Sequence, residues 1–175
     1  MFKDKKYKIR PINEVFDLQL GKTPSRTESK YWCTKGHKWV SVSDMGRYDR
    51  FTSDTSEYIS DEAVIDTGIK IVPKGTVIMS FKLTIGRASI TNEDIYTNEA
   101  IVAFLSKETE YINNDYLRLY LSTYDWSYGQ MNAVKGMTLN STSIGKAILV
   151  IPPKHLQDTF SNFAELCDKL KFEAQ

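Results

Sequence analysis

Pro152-Pro153 is the feature that most limits how this chain can fold. Neither proline can donate a backbone hydrogen bond, and each pushes the residue before it out of helical conformation, so no helix or central strand runs through them. Downstream, Leu156, Phe160, Phe163, Cys167, Leu170 and Ala174 recur at spacings of four, three, four, three and four, the a/d pattern of a heptad. A period of about 3.5 residues keeps a narrow apolar seam on one side, which suits a second helix alongside. The other possible partner is the chain's own upstream part. By this reading the helix-pairing residues are Leu156, Phe160, Phe163, Cys167 and Leu170. No C-capping residue follows in Phe172-Glu173-Ala174-Gln175, so either the helix continues beyond this point or a partner completes the pairing.

Upstream the texture changes to short β-like runs: Trp39 to Val42, Ile69 to Val72, Thr76 to Phe81, Ala88 to Ile90 and Ala100 to Leu105. Gly, Pro, Asn and Asp punctuate them as turn formers do. Val72-Pro73-Lys74-Gly75-Thr76 has the Pro and Gly spacing of a tight turn, and reads as a hairpin. One helix is expected to begin at Asn113 or Asn114, either of which can cap a first turn. Its apolar stripe is Leu117, Leu121, Tyr124 and Tyr128, with Gly129 as the stop. The fold class is therefore α+β: one mixed, strand-rich globular domain over residues 1–151, then a coiled-coil-type helix over residues 152–175.

At 175 residues, with 41% hydrophobic and 26% charged, the chain has room for one core and an appendage, and is neither disordered nor fibrous in composition. Cys33 and Cys167 form no C-x-x-C pair, which gives no sign of a disulfide framework or a zinc site and suits a reducing compartment. Charges interrupt the basic N-terminal stretch before an apolar run long enough for a signal peptide or membrane span appears. The expected location is the cytoplasm, with no membrane partner.

The net charge of +1 conceals a segregation. Gly68 to Ile90 holds Lys70, Lys74, Lys82 and Arg87 with no acid, and Trp126 to Gln157 holds Lys135, Lys146 and Lys154 with none. Lys22 to Arg50 has a basic surplus, whereas Thr52 to Asp66 has five acids and no base. If the basic segments fold onto one face, that face suits phosphates.

Motifs for chemistry fail one after another. Gly21-Lys22-Thr23 resembles the end of a P-loop, but Phe16 stands where the first glycine is needed. Gly86-Arg87 belongs to no G-x-G-x-x-G fingerprint. Ile151-Pro152-Pro153-Lys154 lacks the polar residue before the prolines and the aromatic after them that would hold a flipped base. Neither His37 nor His155 has metal-ligand neighbours, no G-x-S-x-G is present, and Glu108 and Glu110 read as a solvated loop. No metal site and no catalytic residue is expected.

Taken in order, the remaining landmarks resemble a family. Leu20 to Ser25, Tyr31-Trp32, Gly36 to Val40 and Asp44-Met45-Gly46 look like the opening of a target-recognition domain of the specificity (S) subunit of type I restriction–modification systems. Pro73 to Ser80 and Thr84 to Ile90 match its middle, Thr97-Asn98-Glu99-Ala100 resembles its Asn-Gln-Ala element, and Ile151-Pro152-Pro153 with Leu156-Gln157 resembles the opening of its long helix. Two departures stand out: Lys154-His155 replaces a usual Leu-Glu, and Glu99 stands where Gln is usual. Members usually carry two recognition domains and two pairing helices, so this chain resembles half a subunit.

The resemblance implies a non-catalytic reader of one half of a bipartite duplex DNA target, with residues 1–151 as the recognition domain and 152–175 as the start of a spacer and dimerisation helix. The implied partners are double-stranded DNA, methyltransferase (M) and restriction (R) subunits, and a second copy through the helix. S-adenosylmethionine, ATP and magnesium belong to partner subunits, with none bound by this chain. Phosphate contacts are expected from Lys22, Arg26, Lys35, Lys38, Lys82, Arg87 and Lys135, and base or sugar contacts from Ser43, Arg47, Tyr48, Thr84 and Asn140. Trp32 and Trp39 are expected in the core, since duplex reading needs no unstacked base. Readings from other classes are a stand-alone DNA-acting nuclease and a protein-interaction module acting through the heptad.

Overall fold

Every apolar run upstream of the double proline except one becomes a strand. The computed structural model describes residues 7–46, 50–52, 54–82, 84–127 and 139–173, with side chains described as far as Cys167. The strands are β1 (Lys8–Pro11), β2 (Phe16–Leu20), β3 (Trp32–Cys33), β4 (His37–Val40), β5 (Phe51–Thr52), β6 (Glu57–Ile59), β7 (Val77–Ser80), β8 (Ala88–Thr91), β9 (Tyr96–Thr97), β10 (Ile101–Ser106) and β11 (Ile148–Ile151). The helices are α1 (Ile12–Val15), α2 (Asp61–Thr67), α3 (Asn114–Thr123), α4 (Ser141–Lys146) and α5 (Lys154–Glu173). One sheet has the order β2-β10-β7-β8-β5, a second β3-β6-β4-β9, and β1 pairs antiparallel with β11.

β7 shows why this sequence needs two layers. Its successive side chains point to opposite faces, and all four are buried. Val77 and Met79 join Val102, Phe104, Leu117 and Leu121 in a core under α3. Ile78 joins Val40, Met45, Ile101 and Ala103 in a second core. A central strand covered on both sides must read as continuously apolar, as this one does.

Three expectations are corrected. Ile69 to Val72 forms no strand: only Val72 makes a bridge, and its partner is Ile95. The turn at Pro73 exists, with Thr76 N–H donating to the Pro73 carbonyl at 3.3 Å, but it is not a hairpin, because β7 pairs with β8 and β10 instead. The α3 helix starts where expected, the Asn113 side chain accepting from the Asp115 and Tyr116 amides, yet it ends at Thr123 with Tyr124 extended. Tyr128 and Gly129 lie outside the described residues. Tyr124 leaves the helix and packs tilted against Trp126, the ring centres 4.6 Å apart.

The α5 helix docks by a face that its heptad does not mark. It follows Pro152-Pro153 at once and lies on its own domain through a polar face rather than the heptad seam. Gln157 and Ser161 are the buried residues, 1% and 6% exposed. Gln157 Oε1 accepts from the Asn113 amide at 2.9 Å, while its Nε2 donates to the Tyr111 and Pro152 carbonyls at 3.0 and 2.8 Å. The Ser161 hydroxyl donates to Asn113 Oδ1 at 2.6 Å. Among the heptad residues, Leu156 and Cys167 are half-buried, Phe160 sits edge-on to Tyr116 at 6.1 Å, and Phe163 is 64% exposed. Leu170's side chain is outside the described set.

Arg50 ties this helix to the sheet. Its guanidinium donates to both carboxylate oxygens of Asp115, at 2.8 and 2.7 Å, and lies 3.4 Å from Glu165 on α5. Asp115 is 9% exposed, so removing Arg50 takes two short hydrogen bonds from a largely buried carboxylate and leaves it the more distant Arg118, at 3.8 Å. Arg50→Ala is expected to lower stability by about 2 kcal/mol, below the loss for fully buried pairs because Arg50 is itself partly solvated. Urea denaturation measures this, and adding Asp115→Asn should recover part of the loss.

Candidate nucleic-acid interface

Several of the sequence landmarks meet at one end of the five-stranded sheet. Beyond β2, the Gly21 amide donates to the Ile101 carbonyl at 3.0 Å and the Lys22 amide to Thr97 at 2.8 Å. The Thr23 hydroxyl donates to the Glu99 carboxylate, and Asn98 Oδ1 accepts from the Ala100 amide at 3.0 Å. Leu20 to Pro24 and Thr97 to Ala100, separate in sequence, are thus two sides of one contact. The loop from Lys82 to Arg87 closes over the same end, the Gly86 amide donating to the Ser80 carbonyl at 3.0 Å. Arg87 then draws in the turn after β4: one guanidinium nitrogen donates to the Val42 and Met45 carbonyls at 3.2 and 2.9 Å. Asp44 locks that turn by accepting from the amides and hydroxyls of Ser41 and Ser56. Burial pushes its carboxyl up, but these four hydrogen bonds outweigh it and hold Asp44 below the ordinary range.

Charge decides which of these groups can face an anion. The acidic segment Thr52 to Asp66 folds against the basic segment Lys22 to Arg50 and pairs with it. Arg26 grips Glu57 with both terminal nitrogens and stacks 3.7 Å from the Trp32 ring centre. Lys30 meets Asp66 at 2.8 Å and His37 meets Asp61 at 2.7 Å. Lys38 is paired with Glu93 at 2.6 Å. The Glu57 hydrogen bonds hold Arg26 further in its charged form, as Glu93 does for Lys38. The idea that all basic segments share one face is therefore corrected: part of their charge is cancelled by the acidic segment.

Of the expected contact residues, Lys22, Ser43, Lys82, Thr84 and Arg87 come together at this sheet end. Lys22 and Thr84 are exposed, and Lys82 is half-buried with its ammonium 5.6 Å from the Phe81 ring centre. Ser43 is exposed, its hydroxyl 2.6 Å from that of Ser41. One guanidinium nitrogen of Arg87 and both terminal nitrogens of Arg26 are engaged inside the protein, so both residues position loops. Lys35 is exposed between β3 and β4, at the far end of β4 from Val40, and is not brought to the cluster. Asn140 caps α4, its side chain accepting from the Ser143 amide at 2.9 Å. Arg47, Tyr48 and Lys135 lie outside the described residues. Trp39 is 2% exposed and Trp32 packs edge-on to it at 5.1 Å.

Glu99 gives this end a measurable acid response. The Thr23 hydrogen bond, opposed by burial and helped by Lys82 and Arg26, lowers its pKa from the ordinary 4.5. A depressed folded-state pKa adds stability that is present above the ordinary value and lost as pH falls through the folded one. Thr23→Val is therefore expected to be less stable than the wild type at pH 7, the gap narrowing below about pH 4.5, in urea titrations between pH 7 and 3.

Among the described residues no group of three or more His, Cys, Asp and Glu could hold a metal ion, and no helix is long and apolar enough to cross a membrane. Comparison with known proteins adds a consistent picture. A family model described as the type I restriction modification DNA specificity domain matches residues 4–171. The MjaIX specificity subunit of Methanocaldococcus jannaschii is 26% identical over 147 residues, covering 80% of this chain and 34% of that relative. The EcoprrI specificity subunit of Escherichia coli is 27% identical over 99 residues, covering 57% and 24%. The chain thus spans about a third or less of these relatives. Among solved structures, a chain of a type I R-M system assembly aligns with a TM-score of 0.73 at 14% identity, over 97% of this chain and 41% of that one. The HsdS subunit of Thermoanaerobacter tengcongensis aligns at 0.68 and 16%, over 94% and 38%. At these identities the likeness is one of fold.

Proposed function

Because the chain belongs to the type I restriction modification DNA specificity domain family, we propose that it reads one half of an interrupted duplex DNA target and brings methyltransferase and restriction subunits to it. The observation that carries this reading is the extent of the family match, which runs through the strand-rich part and along α5 without a break. Residues 1–151 act as the reading domain and 152–175 as the start of the spacer helix. The chain itself is non-catalytic and cytoplasmic. S-adenosylmethionine, ATP and magnesium are handled by the partner subunits.

The chemistry divides by position. Lys22 and Lys82 neutralise phosphates and release counterions, which gives affinity without sequence preference. Ser43 and Thr84, on loops fixed by Asp44 and Arg87, reach base edges or sugars, where discrimination arises. The α5 helix separates its two tasks by angle. At roughly 100° per residue, Gln157, Ser161 and Glu165 point to the domain while Phe163 and Leu166 point away. Those two are 64% and 54% exposed, and a second copy's helix would cover them.

Mapping methylated adenines across the genome, with the gene intact and then deleted, tests the proposal. A bipartite motif that is methylated only when the gene is present is the expected result. An unchanged methylation pattern overturns it.

A further inference from the structure

We propose that the groove along the open edge of β2 is a second phosphate track, in which Lys70 and Lys22 hold the sugar–phosphate backbone of the duplex beside the loop end. This rests on the DNA-reading function proposed above and extends it to a residue outside the expected contacts.

β2 is the edge strand of its sheet, paired with β10 alone. Between that edge and the segment from Gly68 to Lys70 lies an open groove of about 530 Å³. It carries two cations, Lys22 and Lys70, both exposed, and neither makes an ion pair among the described residues. Lys22 reaches across to the Thr67 carbonyl with one of its three ammonium hydrogens, leaving donors for a phosphate oxygen. The groove's acid, Asp17, lies 3.2 Å from Lys107, which offsets its charge.

The lip that bears Lys70 is fixed rather than loose. Gln19 Nε2 donates to the Ile71 carbonyl at 2.9 Å and to the Lys70 carbonyl at 3.3 Å, so the β2 edge holds the facing backbone at a set distance. Leu18 and Leu105 also line the groove and supply apolar wall suited to the faces of deoxyribose. Lys22 also begins the loop that contacts Thr97 and Glu99, so groove and loop end are continuous. Two separate cations and an apolar wall along a groove that leads away from the loop end match a nucleic-acid backbone better than a small anion, which would need convergent donors.

The test is fluorescence anisotropy on a labelled duplex carrying the mapped target, with the full chain and its methyltransferase partner, over a series of potassium chloride concentrations. Lys70→Ala is expected to weaken binding roughly fivefold at low salt and to reduce the slope of log affinity against log salt by about 0.9, one phosphate's worth. The methylated motif should stay the same, and Lys70→Arg should restore both quantities. Lys74→Ala, at an exposed cation outside the groove, should keep the wild-type slope. An unchanged slope for Lys70→Ala overturns the groove, as does an equal loss for Lys74→Ala, which would mark a general charge effect. A wild type with neither salt dependence nor target preference would sink the DNA reading itself, a separate outcome.

Discussion

Replacing Gln157 with alanine is expected to cost about 3 kcal/mol and to lower the thermal midpoint by roughly 10 °C, for a side chain that carries no charge. The size follows from the partners left behind. The amide group accepts from Asn113 N–H and donates to the Tyr111 and Pro152 carbonyls in a position 1% exposed. Water cannot replace it without opening the seat of α5, so each orphaned group carries its own desolvation cost. Two companions separate this from simple loss of packing. Gln157→Glu keeps the shape but sets a carboxylate oxygen against the Tyr111 and Pro152 carbonyls in a buried site, and should be at least as destabilising as alanine at pH 7, recovering as the carboxyl protonates at lower pH. Ser161→Ala removes one hydrogen bond to Asn113 and should cost about 1 kcal/mol. Gln157→Ala as stable as the wild type would mean that α5 is held by its apolar residues after all.

Gly21→Ala is expected to be at least as damaging, by about 3 kcal/mol or more, for a steric reason. A β-carbon there would lie 2.1 Å from the Asn98 carbonyl oxygen and 2.3 Å from that of Thr97. Both are backbone atoms, so no rotamer relieves the clash. The end of β2 would have to peel off β10, breaking the Gly21 and Lys22 amide hydrogen bonds and the Thr23 contact with Glu99. Gly75→Ala is the control. That glycine has a φ of +79° and open space around its α-carbon, so alanine meets only the conformational penalty of roughly 1 kcal/mol. Urea midpoints for the two variants should differ by the steric share.

Local physics made some elements legible and left others hidden. β7, β8 and β10 could be read because strands buried on both faces are continuous apolar runs. The start of α3 could be read because Asn113 is a strong capping residue. Two-residue strands such as β3 and β9 carry no periodicity and exist only because β6 and β4 run beside them. The heptad was visible, but it drew attention to the helix's outer side. The side that docks, Gln157 and Ser161, is polar, and a hydrophobic pattern does not register hydrogen-bonding faces. The same limit applied to charge. Arg26 and Lys38 looked available in sequence, and the fold spends them on Glu57 and Glu93, more than thirty residues away. Lys22 and Arg87 stand in motifs that converge on one sheet end, and Lys82 joins them from the stretch between two of those motifs. What sequence did not separate is Arg87's work on two carbonyls from an exposed contact.

The pairing of β1 with β11 has a topological consequence. The strand that opens the domain lies beside the strand that feeds its last helix, Lys8 opposite Ile151. The two ends of the domain's circuit, Lys8 and Ile151, therefore meet at the root of α5, and the loops around Lys22, Thr84 and Glu99 hang at its far end. A unit wired this way can be spliced between helices, exchanged for another of different loops, or joined in tandem without rethreading the sheet. The loop surface becomes a cartridge, and the helix its socket.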